Sequence, residues 1–362
     1  MPKEWDVIVI GAGVWGLSCA YACAKRGQSV AVFEAGTVGQ GASGGIVGAM
    51  APHAPDSWNE KKQFQFEALD SAERFWAEVD VKSGLQSGYG RIGRIIPITT
   101  ERDRELAEER REIAKTVFLG KYKWNVLESH PMLPSSTTPY GVVHDEITAR
   151  IYPAKAVVSL AKACQNLGVE IIENRRVTGF DDHTVFGAWG EARADAIIIA
   201  GGTEGFALLD YHLGCNTGVG VKGQAALLDY DMGDVPQIYA NGVYIIPHIG
   251  GVTTIGATSE KTWGQPFEID DKLDVILDKA YDLMPALKEA HILQRWAGLR
   301  PKARRRHPML GPIPEVKGVY SAMGAYTVGF GIAHKVGEVL ADYAGGGSFD
   351  LPRNFTVDWQ ME

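Results

Sequence analysis

Gly11-Ala12-Gly13-Val14-Trp15-Gly16 is a G-x-G-x-x-G run, and Glu34 closes the next apolar stretch. Those residue types in that order suit a dinucleotide. The first glycine permits a tight turn, the second lets a pyrophosphate approach the backbone, and the third lets a helix pack close to the strand. The phosphates then lie on the helix N-terminus, where free N–H groups and the helix dipole favour an anion. Glu34, followed by Ala35, is placed to accept hydrogen bonds from a ribose diol. Two further glycine turns, Ala200-Gly201-Gly202 and Gly324 to Gly331, each follow an apolar run. Ligands of open parallel sheets lie beyond the carboxyl ends of the strands, so both turns can meet the same nucleotide.

The elements that must position these groups follow from periodicity. Val7 to Ile10 and the apolar run ending at Glu34 read as buried strands around a helix carrying Ala20, Ala24 and then Gly27. The glycine-rich segment from Ala35 to Gly45 is too long for a simple turn, and such loops inside compact domains are usually functional. Asn59 to Val79 has helical periodicity with Phe64, Leu69, Phe75, Trp76 and Val79 as buried positions; Gly90 to Ile98 reads as a strand, and Glu101 to Val117 as a helix with a solvated charged face. A helix from Pro153 to Leu167 leads to a strand at Val169 to Ile172, and Asp195 to Ala200 is a buried strand. Val243 to Pro247 and Val252 to Ala257 flank Gly250-Gly251, a hairpin signal. Asp270 to Met284 is a helix, Trp296 to Pro301 leads back toward the start of the fold, and Val319 to Met323 is a strand before a last helix through Leu340.

Nucleotide-type elements thus recur at the beginning, middle and end. The fold class is α/β (α+β overall): a Rossmann-like dinucleotide-binding domain of residues 1–55, 145–220 and 297–362, interleaved with a smaller mixed-sheet substrate domain of residues 56–144 and 221–296. A length of 362 residues fits two such domains, and 45% hydrophobic with 22% charged residues is ordinary for a globular protein. The net charge of −8 argues against nucleic acid as a main partner. Cys19, Cys23, Cys164 and Cys215 show no metal-ligand spacing and read as small, reduced residues. With the glycine turn at residue 11 leaving no room for a leader, and no run near the ~20 apolar residues of a membrane span, the expectation is a soluble, cytoplasmic protein. Oligomeric state is open, a homo-oligomer included.

In their order along the chain, GAGVWG with Glu34, GASGG, IYPAKAVVSLAKACQNLGVEI, VYIIP…GATS, AGLRP and GAYTVGFG make the sequence resemble the D-amino-acid oxidase family of FAD-dependent oxidoreductases. It is most similar to the glycine oxidase branch, over nearly the whole chain. The resemblance implies noncovalent FAD and oxidative deamination of a small amino acid or amine, with oxygen or another acceptor taking the electrons. It implies that Arg300 clamps the substrate carboxylate, in the bidentate fashion that lysine cannot reproduce, and that Tyr244 lies beside it. Ala42, Ser43, Gly44, Gly45 and Ile46 would run past the flavin ring and Val177 would offer backbone groups to the adenine. Ala325, Tyr326, Thr327, Val328, Gly329, Phe330 and Gly331 would face the pyrimidine end. Thr327 stands where the branch carries an arginine, which leaves room for a larger or secondary amine.

Two residue clusters lie outside that scheme. Lys302 to His307 (KARRRH) is either a solvated loop or a recognition site for an anionic substrate or acceptor, and His53 follows the flavin loop closely enough to line a pocket. Two functional alternatives use the same cofactor half: an FAD-dependent 2-hydroxy-acid dehydrogenase, and a flavoprotein electron-transfer subunit of a larger complex.

Overall fold

The computed structural model describes residues 4–362. Its strands fall into two eight-stranded sheets and one two-stranded pair, Ala49–Met50 with Ala149–Arg150. The main path of the first runs in the order Met309–Pro312, Val319–Met323, Gly190–Ile199, Glu4–Ile10, Val30–Phe33, Glu170–Ile172. All neighbours on that path are parallel except the Met309–Pro312 edge. Strand alternation divides the apolar runs between two faces: Val7, Val9, Val32 and Ile198 on one, Ile8, Ile10, Phe33 and Ile199 on the other. Both faces are covered, as a parallel sheet requires. Helices Val14–Lys25 and Gly329–Ala344 cover the first face, and Phe206 and Leu209 of helix Gly202–Leu213 pack on the second.

The second sheet runs His291–Ala303, Gly218–Asp229, Val252–Gly256, Val243–His248, Gln237–Ala240, Arg94–Pro97, Val142–Asp145, Trp124–Leu127. It is antiparallel except where Arg94–Pro97 meets Gln237–Ala240. One face packs Ala226, Leu228, Val243, Ile245 and Ile255 against Leu273, Ile276, Leu277 and Ala280 of helix Lys272–Leu283. The opposite face looks toward the first sheet, and Ile46 packs there against Ala225 and Leu227.

Helix Glu101–Val117 has the expected bounds, with Ala107 and Ala114 its buried residues. The long helix is Glu60–Ser83, started by Asn59, whose side chain accepts from the Lys62 N–H at 3.2 Å. The strand expected over 90–98 shortens to Arg94–Pro97, because Gly93 turns with φ +74° just before it. The strands Gly218–Asp229 and His291–Ala303 run through the expected domain boundaries at 220/221 and 296/297. They pair with each other along their length, so AGLRP lies in the second sheet rather than with the first. We therefore assign 218–303, not 221–296, to the second layer.

Candidate active site

At the cofactor end the backbone supplies the groups. Gly11 has φ +105°, and a Cβ on it would lie 2.6 Å from the Ala200 carbonyl oxygen; one on Gly16 would lie 1.9 Å from the Gly11 oxygen. Strand, turn and helix close only with glycine at both places. The Ala200 N–H donates to Ile10 O at 2.9 Å, so the second glycine turn sits against the first. Helix Val14–Lys25 has no side-chain cap at Gly13. Its Val14 N–H donates to Ser43 Oγ at 3.0 Å, while the N–H groups of Trp15 and Gly16 have no hydrogen-bond partner among the described residues. A helix end with orphaned donors fits a pyrophosphate.

Glu34 Oε2 accepts from the Ala12 N–H at 2.7 Å and Oε1 from the Gly36 N–H at 2.8 Å. Each carboxylate oxygen has a second acceptor site, which leaves capacity for ribose hydroxyls. The N–H groups of Asn174 and Arg175 donate to Gly36 O and Glu34 O, bringing the segment that ends at Val177 alongside. Val177 is buried, and neither its N–H nor its carbonyl has a partner among the described residues. Free backbone groups beside a ribose-type carboxylate fit an adenine edge.

The loop expected to run past a flavin ring is clamped between the layers. Residues Ala42–Gly44 form a 3₁₀ turn, and Ser43 holds the nucleotide helix as described. Ile46 O accepts from both His248 Nε2 and Thr254 Oγ1 of the second sheet, each at 3.0 Å. Burial pushes the His248 imidazole down to about 4, so at neutral pH it serves as a neutral donor. The last glycine turn joins the same place: Trp15 Nε1 donates to Gly329 O at 2.8 Å, and the Tyr326 N–H donates to Pro301 O at 2.9 Å. Within that turn Thr327 is exposed.

At the other end side chains take over. Register puts Arg300, Gly298 and Trp296 on one face with Gly223, Ala225, Gly256 and Tyr244, the face that meets Ile46 and Gly45. Arg300 is half-buried: one terminal nitrogen donates to Thr258 O at 2.6 Å and to Lys222 O at 3.3 Å, and its buried Nε has no partner. No carboxylate lies within ion-pair distance of it among the described residues. Burial works against its cation, Tyr326 and Glu260 work for it, and the balance lies below the usual arginine range. A guanidinium held by neutral carbonyls, with a donor left over, fits an anion.

The Tyr244 hydroxyl sits against Arg94, which is itself tied to buried Asp145 at 2.7 Å. Burial raises the phenol while Arg94 opposes the rise. It therefore stays protonated at neutral pH, and beside a pure donor its own proton is free to go elsewhere. His53 pairs through Nδ1 and its N–H with Gln65 Oε1.

One group of residues is only partly marked in the sequence, by Thr258 of GATS. Thr258 Oγ1 accepts from the Gln224 N–H at 2.9 Å and donates to Glu260 Oε1 at 2.5 Å. Glu260 also takes Gln224 Nε2 and Lys272 Nζ, both at 2.9 Å. This network fixes the carbonyl that holds Arg300. Gln224, Glu260 and Lys272 join Thr258 from outside that motif, and nothing in the sequence marks them.

Residues 6–343 match the family of FAD dependent oxidoreductases designated DAO, and the chain belongs to that family. FAD is its cofactor, which fits the glycine cradle, the orphaned helix donors and the free Val177 backbone. Among relatives, a glycine oxidase of Bacillus licheniformis is 27% identical over 354 residues, covering 94% of this chain and 93% of that one. The crystal structure of glycine oxidase from Geobacillus kaustophilus superimposes with a TM-score of 0.87 at 24% identity, covering 98% of each chain. That of glycine oxidase from Bacillus cereus gives 0.82 at 26% identity, covering 94% of this chain and 95% of that one.

Proposed function

We propose that this chain oxidises the amine-bearing carbon of a small amino acid or amine, with Arg300 holding the substrate carboxylate. FAD, held noncovalently, supplies the two-electron acceptor for hydride transfer from that carbon when bound. The observation that carries the reading is Arg300, an acid-free guanidinium with an orphaned Nε on the face that meets the flavin loop. The Tyr244 hydroxyl donates to the same carboxylate while Arg94 holds its oxygen. Trp296, which lies against Gly45 on the same strand face as Arg300 and Tyr244, would wall the substrate space. The Gln224–Thr258–Glu260 network keeps Arg300 from collapsing onto an internal acid. The glycine oxidases among its relatives support an amine as the reducing substrate.

With Thr327 exposed, the arginine of the glycine oxidase branch has no charged counterpart at that position, which favours a larger or secondary amine over glycine itself. Among the described residues no helix is long and apolar enough to cross a membrane, and the four cysteines are free. We place the enzyme in the cytoplasm and take oxygen or another small acceptor as its oxidant. The test is the flavin absorption spectrum without oxygen, after addition of glycine, sarcosine, amino acids of both hands and 2-hydroxy acids in turn. Bleaching by an amine is the expected result. Bleaching by hydroxy acids alone overturns the amine reading and keeps the cofactor site.

A further inference from the structure

The turn that follows Arg300 gathers positive charge instead of acid. Arg306, at φ +68°, lies over the Tyr326 ring with Cζ 5.9 Å from its centroid. Tyr326 is also the side chain that lies near Arg300 and favours its cation, and its N–H is bonded to Pro301. The first turn of helix Glu60–Ser83 brings Lys61 near Arg306 and His307, and the segment before it brings His53. Burial is the largest influence holding His53 and His307 below the ordinary imidazole range, and Lys61 and Arg306 add to it at both. Lys61 is likewise held down by burial, by Arg306 and by Lys62.

Arg306 is exposed and Lys61 half-buried, and other cations of the protein show what a partner looks like. Arg110 meets Asp56 at 2.6 Å, Lys121 meets Asp70 at 2.6 Å, and Lys62 donates to the carbonyls of Ala54 and Asp56. Among the described residues, Lys61 and Arg306 have no acidic side chain within ion-pair distance, and the buried His307 Nδ1 has no partner. Tyr326 joins this cluster to Arg300, so an anion in it would be the far end of whatever Arg300 holds.

We propose that Lys61, Arg306 and His307 around Tyr326 form a second anion subsite, and that the amine oxidised here carries a distal acid group, carboxylate or phosphonate, beyond the carboxylate on Arg300. This rests on the amine-oxidation reading for the identity of the ligand, but the subsite itself is testable without turnover. Thiodiacetate and (methylthio)acetate have no amine and differ by one carboxylate. Titrated against the flavin spectrum of the holoenzyme, the diacid should bind at least about tenfold more tightly, the gain of one modest charge-assisted contact. In the double variant Lys61→Met with Arg306→Gln, that ratio should collapse toward one. Equal affinities in the parent enzyme or an unchanged ratio in the variant overturns the proposal. In turnover, iminodiacetate should exceed sarcosine in kcat/KM by a similar factor. Sarcosine turned over as well as iminodiacetate overturns the substrate class alone. A diacid preference in binding with no amine reducing the flavin overturns the amine reading and upholds the subsite.

Discussion

The two sheets meet at Ile46 and present their polar groups in different ways. The parallel sheet offers backbone: the N–H groups of Trp15 and Gly16, the free peptide of Val177, and glycines that let a ligand come close. The mixed sheet offers side chains on a strand face, Arg300, Tyr244 and Trp296, with Thr258 and Arg94 behind them. Backbone donors are fixed by the fold and cannot be exchanged one at a time, so that end suits a cofactor common to a family. Side-chain receptors can be exchanged singly without rebuilding a turn, so that end suits a substrate particular to one member. The basic cluster around Tyr326 lies on the exchangeable side.

That division can be broken at either end. The largest effect belongs to Arg300→Ala: kcat/KM should fall about thirty- to several-thousand-fold, the range expected for truncating one partner of a buried charge pair (roughly 2–5 kcal/mol), with flavin content intact. Steady-state kinetics unchanged from the parent would move the substrate end elsewhere. Next comes acid lability at the joint and in the parallel layer. Burial pushes His248 and His334 to about 4, whereas the unfolded chain titrates each near its ordinary 6.5. Between those values the unfolded state binds more protons, so stability is full above about pH 6.5 and drains away as the pH falls toward 4. Each imidazole accounts for on the order of 3 kcal/mol at the acid end. Melting temperatures measured across pH 7.5 to 4.5 should decline, and a flat profile would show that neither imidazole is held neutral.

Gly16→Ala tests the cofactor end. Its Cβ would meet the Gly11 oxygen at 1.9 Å, while a Cβ on Gly41 meets nothing within 4 Å. The first should cost about 1–3 kcal/mol of overpacking and lower the ratio of flavin to protein absorbance in the purified enzyme; Gly41→Ala should retain its flavin. If both retain it equally, close packing at Gly16 is not what shapes the cradle. The smallest effect is Tyr244→Phe, the loss of one hydrogen bond worth about 0.5–1.5 kcal/mol. It should raise KM roughly two- to twelvefold at constant flavin content; a lowered flavin content instead would place Tyr244 on the cofactor side.

Much of the cofactor half was legible in the chain because its determinants are local. Val7 to Ile10 alternate between two covered faces, Gly11 through Gly16 turn at once into a helix, and Glu34 follows one strand later, all within a single short segment. The charged helix Glu101–Val117 was equally plain, since its polar periodicity needs no partner. The mixed sheet was less so. Gly218–Asp229 begins GVGVKGQ, a glycine-spaced stretch with no clean alternation, and its strand partner lies far along the chain at His291–Ala303. AGLRP was recognisable as a motif while its place in that sheet was not.

Taken alone, then, the amino-acid order determined the dinucleotide turn, the apolar strands around it and the residue types available for an anion. Tertiary structure decided which of those residues face one another. Arg300 meets Thr258 and Lys222 because strands distant in sequence pair in one register, and Gln224, Glu260 and Lys272 are drawn in by the same pairing. A strand alternates its side chains with a period of two, so a slip of one residue would turn Arg300 and Trp296 away from Ile46 altogether. Nothing local to either strand encodes that choice; the packing of two buried faces does.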